Sequence, residues 1–156
     1  MEFAANNDCV TILLVEDDPG HARLIEKHLR RGLITNPVVR LSNGQEALDY
    51  IFKDVGEDAI SARYLILLDL NMPGVNGYQV LKRLKSHEGT KTIPVIVLTS
   101  ADDAVEIQRC YQLGCNIYMT KPVDYEQFAD AIRRLGLFLT VTHLTNPFGS
   151  IASPGT

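Results

Sequence analysis

The chain has 156 residues, the length of one ordinary domain, and 46% of them are hydrophobic and 22% charged, a composition that excludes fibrous and disordered proteins. Its 15 basic and 19 acidic residues leave a net charge of -4, which argues against non-specific binding to nucleic acid or to an anionic membrane surface. It has no apolar run near the ~20 residues of a membrane span, and its first residues lack the pattern of a signal peptide. We therefore predict a cytoplasmic protein, whose three cysteines are reduced thiols.

Short apolar runs alternate with segments of helical spacing along the chain. The runs predict five strands: Thr11 to Val15, Val38 to Leu41, Tyr64 to Leu68, Val95 to Leu98 and Asn116 to Met119. Three of these runs are almost continuously apolar, which is typical of strands that are covered on both faces in a parallel sheet. The order of the strands in the sheet does not follow from this pattern.

Five other segments have the spacing of helices. The first begins at Pro19, with Asp18 as its cap, and ends before Gly32, which are the residue types favoured at those positions. The later helices lie around Glu46 to Phe52, around Val80, Leu81 and Leu84, from Val105 to Leu113, and from Asp124 onward.

This alternation of strands and helices predicts the fold class. We expect an α/β fold, a doubly wound five-stranded parallel sheet with helices on both faces. The domain comprises residues 10–144, after a lead-in over residues 1–9 and before a flexible tail over residues 145–156.

Polar side chains follow the predicted strands, at the edge of the sheet where open α/β folds bind their ligands. They are Glu16, Asp17 and Asp18 after the first strand, Asp69 after the third, Thr99 and Ser100 after the fourth, and Thr120, Lys121 and Pro122 after the fifth. An acidic pair at one strand end is usually a solvated loop or a helix cap, which is our interpretation of Asp18. Recurrence of such groups at four strand ends indicates a site.

The chemistry of these groups suits phosphoryl transfer. Carboxylates with no histidine or cysteine next to them in sequence favour Mg²⁺ or Mn²⁺ over zinc. Lys121 and Thr99 can hold the oxygens of a transferring phosphoryl group. Asp69 can carry that group as an acyl phosphate.

Four segments resemble the receiver domain of two-component response regulators, the CheY-like family with a flavodoxin-like fold. They are LLVEDD (Leu13 to Asp18), LLDLNMPGVNG (Leu67 to Gly77), VIVLTSA (Val95 to Ala101) and YMTKP (Tyr118 to Pro122). The resemblance implies that Asp69 is the phosphoacceptor and that Glu16 and Asp17 form an acidic pair. It implies Mg²⁺ ligands from Asp17, Asp69 and the main-chain carbonyl of Asn71, switch residues Thr99 and Tyr118, a phosphoryl-contacting Lys121 and a cis peptide bond at Pro122.

The resemblance also implies a function. The chain would be a signalling switch and not an enzyme, catalysing at most its own phosphorylation and slow self-dephosphorylation. It would take its phosphoryl group from a sensor histidine kinase or a histidine phosphotransfer protein. The changed surface at Thr99 and Tyr118 would then bind a partner. We expect no DNA-binding output domain after the receiver and no nucleic acid or membrane partner.

Three other segments are similar to the subgroup of receivers that partner phytochromes: the long connection Lys53 to Arg63, the segment Ser86 to Pro94, and the ending Leu137 to Leu144. This similarity implies a phytochrome-type kinase as the partner. The apolar stretch Gly136 to Leu144 is either the end of an ordinary last helix or the contact surface of a homodimer.

Two other functions remain open at this point. The first is a pseudo-receiver, a binding module that never accepts phosphate. The second is a phosphatase of the haloacid dehalogenase type, although Asn71 stands where its second aspartate would be. We expect no catalytic role for His21, His28, His87 or His143, because none adjoins the strand ends in sequence.

Overall fold

A computed structural model describes residues 10–32, 34–55, 64–100, 104–121, 126–127, 130–131 and 133–134 of the chain. Its elements, in chain order, are β1 (Thr11–Val15), α1 (Pro19–Arg31), β2 (Val38–Leu41), α2 (Gly44–Val55), β3 (Tyr64–Asp69), α3 (Gly77–Lys85), β4 (Val95–Thr99), α4 (Ala104–Leu113) and β5 (Ile117–Thr120). The described residues between 126 and 134 are also helical. No helix in these ranges has the length and apolar character needed to cross a membrane.

The five strands form one parallel sheet in the order β2-β1-β3-β4-β5. The predicted fold class is therefore confirmed. Strand β3 lies at the centre and is buried along its whole length, as expected from its continuous apolar run. Because the two strands beside β3 are β1 and β4, the segments that follow β1, β3 and β4 meet at one edge of the sheet.

The side chains of each strand alternate between two hydrophobic clusters, one on each face of the sheet. One cluster lies beneath α2, α3 and α4 and includes Leu13, Val15, Ile66, Leu68, Val80, Leu81, Leu84, Val95, Val97 and Cys110. The other lies beneath α1 and includes Ile12, Leu14, Ala22, Leu29, Leu65, Leu67, Ile96 and Leu98. Helices therefore cover both faces of the sheet. For this reason the central strands are apolar on both faces and do not alternate between apolar and polar residues.

The start of α1 is built as its sequence predicts. Asp18 Oδ1 accepts hydrogen bonds from the main-chain N–H groups of Gly20 at 2.8 Å and His21 at 3.1 Å. These bonds lower the pKa of the Asp18 carboxyl. Pro19 occupies the first turn, and the helix ends before Gly32. Asp18 is thus occupied as a helix cap.

Three strand ends differ from prediction by one residue. Asp69, Thr99 and Thr120 are the last residues of their strands, whereas the sequence analysis placed them just after. Strand β5 begins at Ile117 because Asn116 is used to hold β4. The side-chain oxygen of Asn116 accepts a hydrogen bond from Val95 N at 2.8 Å, and the main-chain N–H of Asn116 donates to Val95 O at 2.8 Å.

Helix α2 begins earlier than predicted, at Gly44. Asn43 Oδ1 accepts from Glu46 N at 2.8 Å, and Glu46 Oε1 accepts from Ser42 N at 2.7 Å. The first bond satisfies a donor of the first turn, and the second ties the segment before the helix to that turn, so the helix can start before its first apolar residue. The predictions for Pro122, the helix start at Asp124, residues 136–144 and both terminal segments lie outside the described residues.

Cys110 and Cys115 are free and buried in the core. Burial raises the pKa of Cys110 to about 11 and that of Cys115 to about 12. Both side chains are therefore neutral packing groups at physiological pH.

Helix α3 packs directly against the strand end that carries Asp69. A Cβ atom on Gly77 would lie 2.5 Å from Asp69 O and 2.6 Å from Leu70 Cα. Both neighbours are main-chain atoms and do not move aside as a flexible side chain does. The absence of a side chain at Gly77 therefore allows the helix to approach the site.

We expect Gly77→Ala to lower the free energy of unfolding by about 1–3 kcal/mol, because the added methyl group overpacks a main-chain contact. The matched variant is Gly74→Ala, where φ is +76° and no heavy atom lies within 4 Å of the new Cβ. That change costs only the left-handed conformation, about 1 kcal/mol. Urea unfolding of both variants measures the difference, and a smaller loss for Gly77→Ala than for Gly74→Ala would contradict this packing.

Candidate functional site

Three carboxylates meet at the carboxyl edge of the sheet. Strands β1 and β3 are parallel neighbours with Val15 opposite Leu68, so Glu16 and Asp69 follow at the same level. One carboxylate oxygen each from Glu16, Asp17 and Asp69 lies within 4.8 Å of the others. Glu16 and Asp69 are buried and Asp17 is half-buried. The three carboxylates that the sequence places at neighbouring strand ends are therefore also close together in space.

A lysine from the far side of the sheet enters this cluster. Lys121 follows β5, and its main-chain N–H donates to Thr99 O at 2.7 Å. Its Nζ donates to Glu16 Oε1 at 2.8 Å and lies 3.6 Å from Asp69 Oδ1. The long side chain thus spans the end of β4 and places one positive charge between two buried carboxylates.

Asp69 is a weaker acid than an exposed aspartate. Burial is the main cause and raises its pKa to about 6; Lys121 opposes this rise, and the negative charge of Glu16 adds to it. Its Oδ1 also accepts from Asn71 N at 3.2 Å, which favours the ionised form. Asp69 is therefore mostly an anion at neutral pH, as a nucleophile must be.

This shift predicts a dependence of stability on pH. Between about pH 4 and about pH 6 the folded protein binds a proton at Asp69 that the unfolded chain does not, so the contribution of Asp69 to stability falls as pH rises. The loss is about 1–3 kcal/mol by about pH 7. Urea unfolding in metal-free buffer should show it as a difference between wild type and Asp69→Asn that grows with pH in favour of the variant. A constant difference would contradict the raised pKa.

Thr99 is linked to Asp69 through Asn71. Thr99 ends β4 and is fully buried. Its Oγ1 accepts a hydrogen bond from Asn71 Nδ2 at 3.1 Å, while Asn71 N contacts Asp69 as described above. The sequence analysis did not predict this contact between the side-chain amide of Asn71 and Thr99, which is an addition from the structure.

Tyr118 lies further from the edge than the other candidate residues. It pairs with Val97 on β4, two residues before the end of that strand, and packs against the hydrophobic cluster beneath α2, α3 and α4. Its main-chain N–H donates to Tyr111 Oη of α4 at 3.2 Å. Tyr118 therefore links β5, the strand beside Thr99, to helix α4.

Two side chains near the acidic cluster were not found from the sequence. His21 Nδ1 lies 3.8 Å from Glu16 Oε2 and 4.0 Å from Asp18 Oδ2. His21 does not adjoin the strand ends in sequence, but the first turn of α1 brings its ring close to Glu16 in space; that it has no catalytic role stays a prediction. Arg40 on β2 donates to the main-chain carbonyls of Glu16 and Asp17. Only the pairing of β1 with β2 could have predicted that contact.

An open parallel sheet with this set of groups at its carboxyl edge places the protein in the CheY-like class of α/β domains. The chain belongs to the Response regulator receiver domain family, which its residues 12–133 match. This family consists of signalling domains, so the resemblance inferred from four sequence segments is confirmed.

Its relatives include regulators associated with phytochromes. Response regulator Rcp1 of Synechocystis sp. is 37% identical over 117 residues, which cover 74% of this chain and 79% of Rcp1. The receiver domain structure from Rhodospirillum rubrum is 50% identical, with a TM-score of 0.71, over 85% of this chain and 94% of that one. The phosphorylated cyanobacterial phytochrome response regulator RcpA is 36% identical, with a TM-score of 0.67, over 86% and 96% of the two chains. The Mn²⁺-bound form of Rcp1 is 34% identical, with a TM-score of 0.66, over 80% and 91%.

Proposed function

We propose that this receiver is a phosphorylation-activated switch in which Asp69 accepts a phosphoryl group from the phosphohistidine of a sensor histidine kinase or of a histidine phosphotransfer protein. The observation that carries the proposal is the position of Asp69. It is a buried carboxylate at the open edge of the sheet, it has two more carboxylates beside it, and Lys121 Nζ lies 3.6 Å away. RcpA, a relative, is known in a phosphorylated form.

In the proposed step, an Asp69 carboxylate oxygen forms a bond to phosphorus while the bond between phosphorus and the imidazole nitrogen of the donor breaks. The electron pair of that bond stays with the imidazole, which takes up a proton from solvent. The product is an acyl phosphate on Asp69. Lys121, whose single positive charge lies between Glu16 and Asp69, would contact an oxygen of the new group.

The donor set fits a hard divalent cation. The three clustered groups are all carboxylates, and their oxygens lie within 4.8 Å of one another, which suits Mg²⁺ or Mn²⁺. Asp17, Asp69 and the main-chain carbonyl of Asn71 would be ligands, with Glu16 completing the acidic pair. Bound there, the ion would neutralise charge on the transferring phosphoryl group. The Mn²⁺-bound form of the relative Rcp1 supports this assignment.

Phosphorylation would act through Thr99 and Tyr118. The Thr99 hydroxyl is held by the neutral amide of Asn71 at 3.1 Å. A phosphoryl group on Asp69 adds roughly -1.5 to -2 of charge and strong acceptor oxygens, to which that hydroxyl can donate a hydrogen bond. Movement of Thr99 toward Asp69 would shift the end of β4, and Tyr118 on the neighbouring strand would follow, changing the surface that a partner binds.

The remaining assignments come from the sequence and stay proposals. The receiver would comprise residues 10–144, flanked by a lead-in over residues 1–9 and a tail over residues 145–156. It would act in the cytoplasm and would not turn over a substrate. A phytochrome-type kinase is the proposed donor, because the relative RcpA, which is 36% identical, is a cyanobacterial phytochrome response regulator. The proposed homodimer would form through residues 136–144.

The test is the intact mass of the protein after incubation with a small acyl phosphate donor, with and without Mg²⁺. We expect one added phosphoryl group that requires Mg²⁺ and that hydroxylamine removes, since hydroxylamine cleaves acyl phosphates. Absence of an adduct under both conditions would contradict the proposal and favour a pseudo-receiver. Continuous hydrolysis of a phosphate ester would favour a phosphatase.

A further inference from the structure

Arg40 connects β2, an edge strand of the sheet, to Glu16 and Asp17 in the loop after β1. Its Nε donates to Glu16 O at 3.1 Å, and its Nη2 donates to Asp17 O at 3.0 Å. Arg40 pairs with Leu14 in the sheet, so its side chain extends forward along the strand direction to reach the two carbonyls. One guanidinium group therefore spans two successive peptide groups just beyond β1.

These peptide groups determine where two of the three clustered carboxylates point. The last pairing of β1 with β2 joins Val15 to Leu41, and Glu16 N still donates to Leu41 O at 3.1 Å. Beyond that bond the chain leaves the sheet. Arg40 continues the attachment by holding the carbonyls of Glu16 and Asp17, and the orientation of each peptide group fixes the direction of the adjacent side chain.

We propose that Arg40 is a positioning residue of the acidic site, which holds the main chain of Glu16 and Asp17 so that their carboxylates meet Asp69. This inference rests on the proposed function, because it assigns Arg40 a part in preparing the cation site. Arginine is suited to the task because its planar fork presents two donors in a fixed geometry, whereas lysine offers one point charge.

If Arg40 acted only through its charge, its removal would change the affinity for Mg²⁺ in the opposite direction. The guanidinium group is a positive charge close to a site for a divalent cation, and through space it weakens binding of that cation. Removal of this charge alone would tighten binding of Mg²⁺. Removal of a positioning contact would weaken binding, as loss of the groups that orient metal ligands does, by about tenfold or more.

The experiment measures Mg²⁺ affinity of the full chain by calorimetry for wild type, Arg40→Lys and Arg40→Gln. Arg40→Lys keeps the positive charge but loses the paired hydrogen bonds to the carbonyls of Glu16 and Asp17. Arg40→Gln loses both the charge and these hydrogen bonds. We expect each to bind Mg²⁺ about tenfold more weakly than wild type. The control is Arg23→Gln, which removes the same charge from an exposed position on α1. Tighter or unchanged binding in Arg40→Gln would overturn the proposal, as would a loss of thermal stability with unchanged affinity.

A second measurement in metal-free buffer keeps this inference separate from the proposed function. The main-chain N–H of Asp18 donates to Glu16 Oε2 at 3.2 Å, so its hydrogen exchange reports whether the loop keeps its conformation. We expect exchange at Asp18 about tenfold faster in both Arg40 variants and unchanged in Arg23→Gln. Unchanged exchange in the Arg40 variants refutes positioning by Arg40, whatever the affinity for Mg²⁺. Faster exchange in a chain that neither binds Mg²⁺ nor takes up phosphate would support positioning and refute the proposed function.

Discussion

Asp69→Asn is expected to lose all detectable phosphorylation, from a phosphohistidine donor and from a small acyl phosphate alike. Asparagine keeps nearly the same size and shape, but its neutral amide does not provide the anionic oxygen that forms the acyl phosphate. Because Asp69 is buried beside Glu16 and has a raised pKa, loss of its charge should not destabilise the metal-free protein at neutral pH. The two readouts are the intact mass of the protein and its urea midpoint.

The matched control for this variant is Asp49→Asn. Asp49 is an exposed residue of α2, and its Oδ1 accepts from Gln45 Nε2 at 2.8 Å. We expect the control to be phosphorylated like wild type. A folded Asp69→Asn protein that is labelled at the normal rate would refute the assignment of Asp69. A lower rate in both variants would indicate a general effect of lost negative charge.

Asp17→Asn is expected to abolish the stabilisation of the fold by Mg²⁺. A ligand that binds only the folded state raises the free energy of unfolding by RT ln(1 + [L]/Kd), about 2.7 kcal/mol at a concentration one hundred times the Kd. Asp17 offers one of the three clustered carboxylates, and the neutral amide is a much weaker ligand for Mg²⁺. Unfolding curves with and without Mg²⁺ should therefore coincide in the variant and differ in wild type.

The neighbouring residue provides the control for this prediction. Asp18 is exposed and caps α1 through its Oδ1. Because asparagine caps a helix about as well as aspartate does, Asp18→Asn should keep both its stability and its response to Mg²⁺. An equal response of Asp17→Asn and Asp18→Asn to Mg²⁺ would show that the ion binds elsewhere.

The two predictions test different parts of the site. Asp69→Asn removes the acceptor and one carboxylate, whereas Asp17→Asn leaves the acceptor in place. If Asp17 is a ligand and Asp69 the acceptor, Asp17→Asn should be phosphorylated only at Mg²⁺ concentrations well above those that suffice for wild type, and then still at Asp69, because Lys121 Nζ keeps its position 3.6 Å from Asp69 Oδ1. Mapping the modified residue in Asp17→Asn distinguishes these roles.

The sequence by itself determined the five strands, four helices and the edge of the sheet at which the site lies. Each strand is a local apolar run and each helix a local stripe, and the carboxyl ends of parallel strands share one edge. Asp69, Thr99 and Lys121 could therefore be placed at that edge. Asp18 could be interpreted as a cap because capping involves only residues two and three positions away.

The tertiary structure alone decided which of these groups touch. The strand order β2-β1-β3-β4-β5 depends on pairing between distant segments, which no local pattern encodes. That order sets Glu16 beside Asp69, and it lets Lys121 reach Glu16 from a position 105 residues along the chain. It also brings Arg40 to the carbonyls of the acidic pair. These contacts depend on the burial and packing of the whole sheet, and so do the raised pKa of Asp69 and the charge balance of the site.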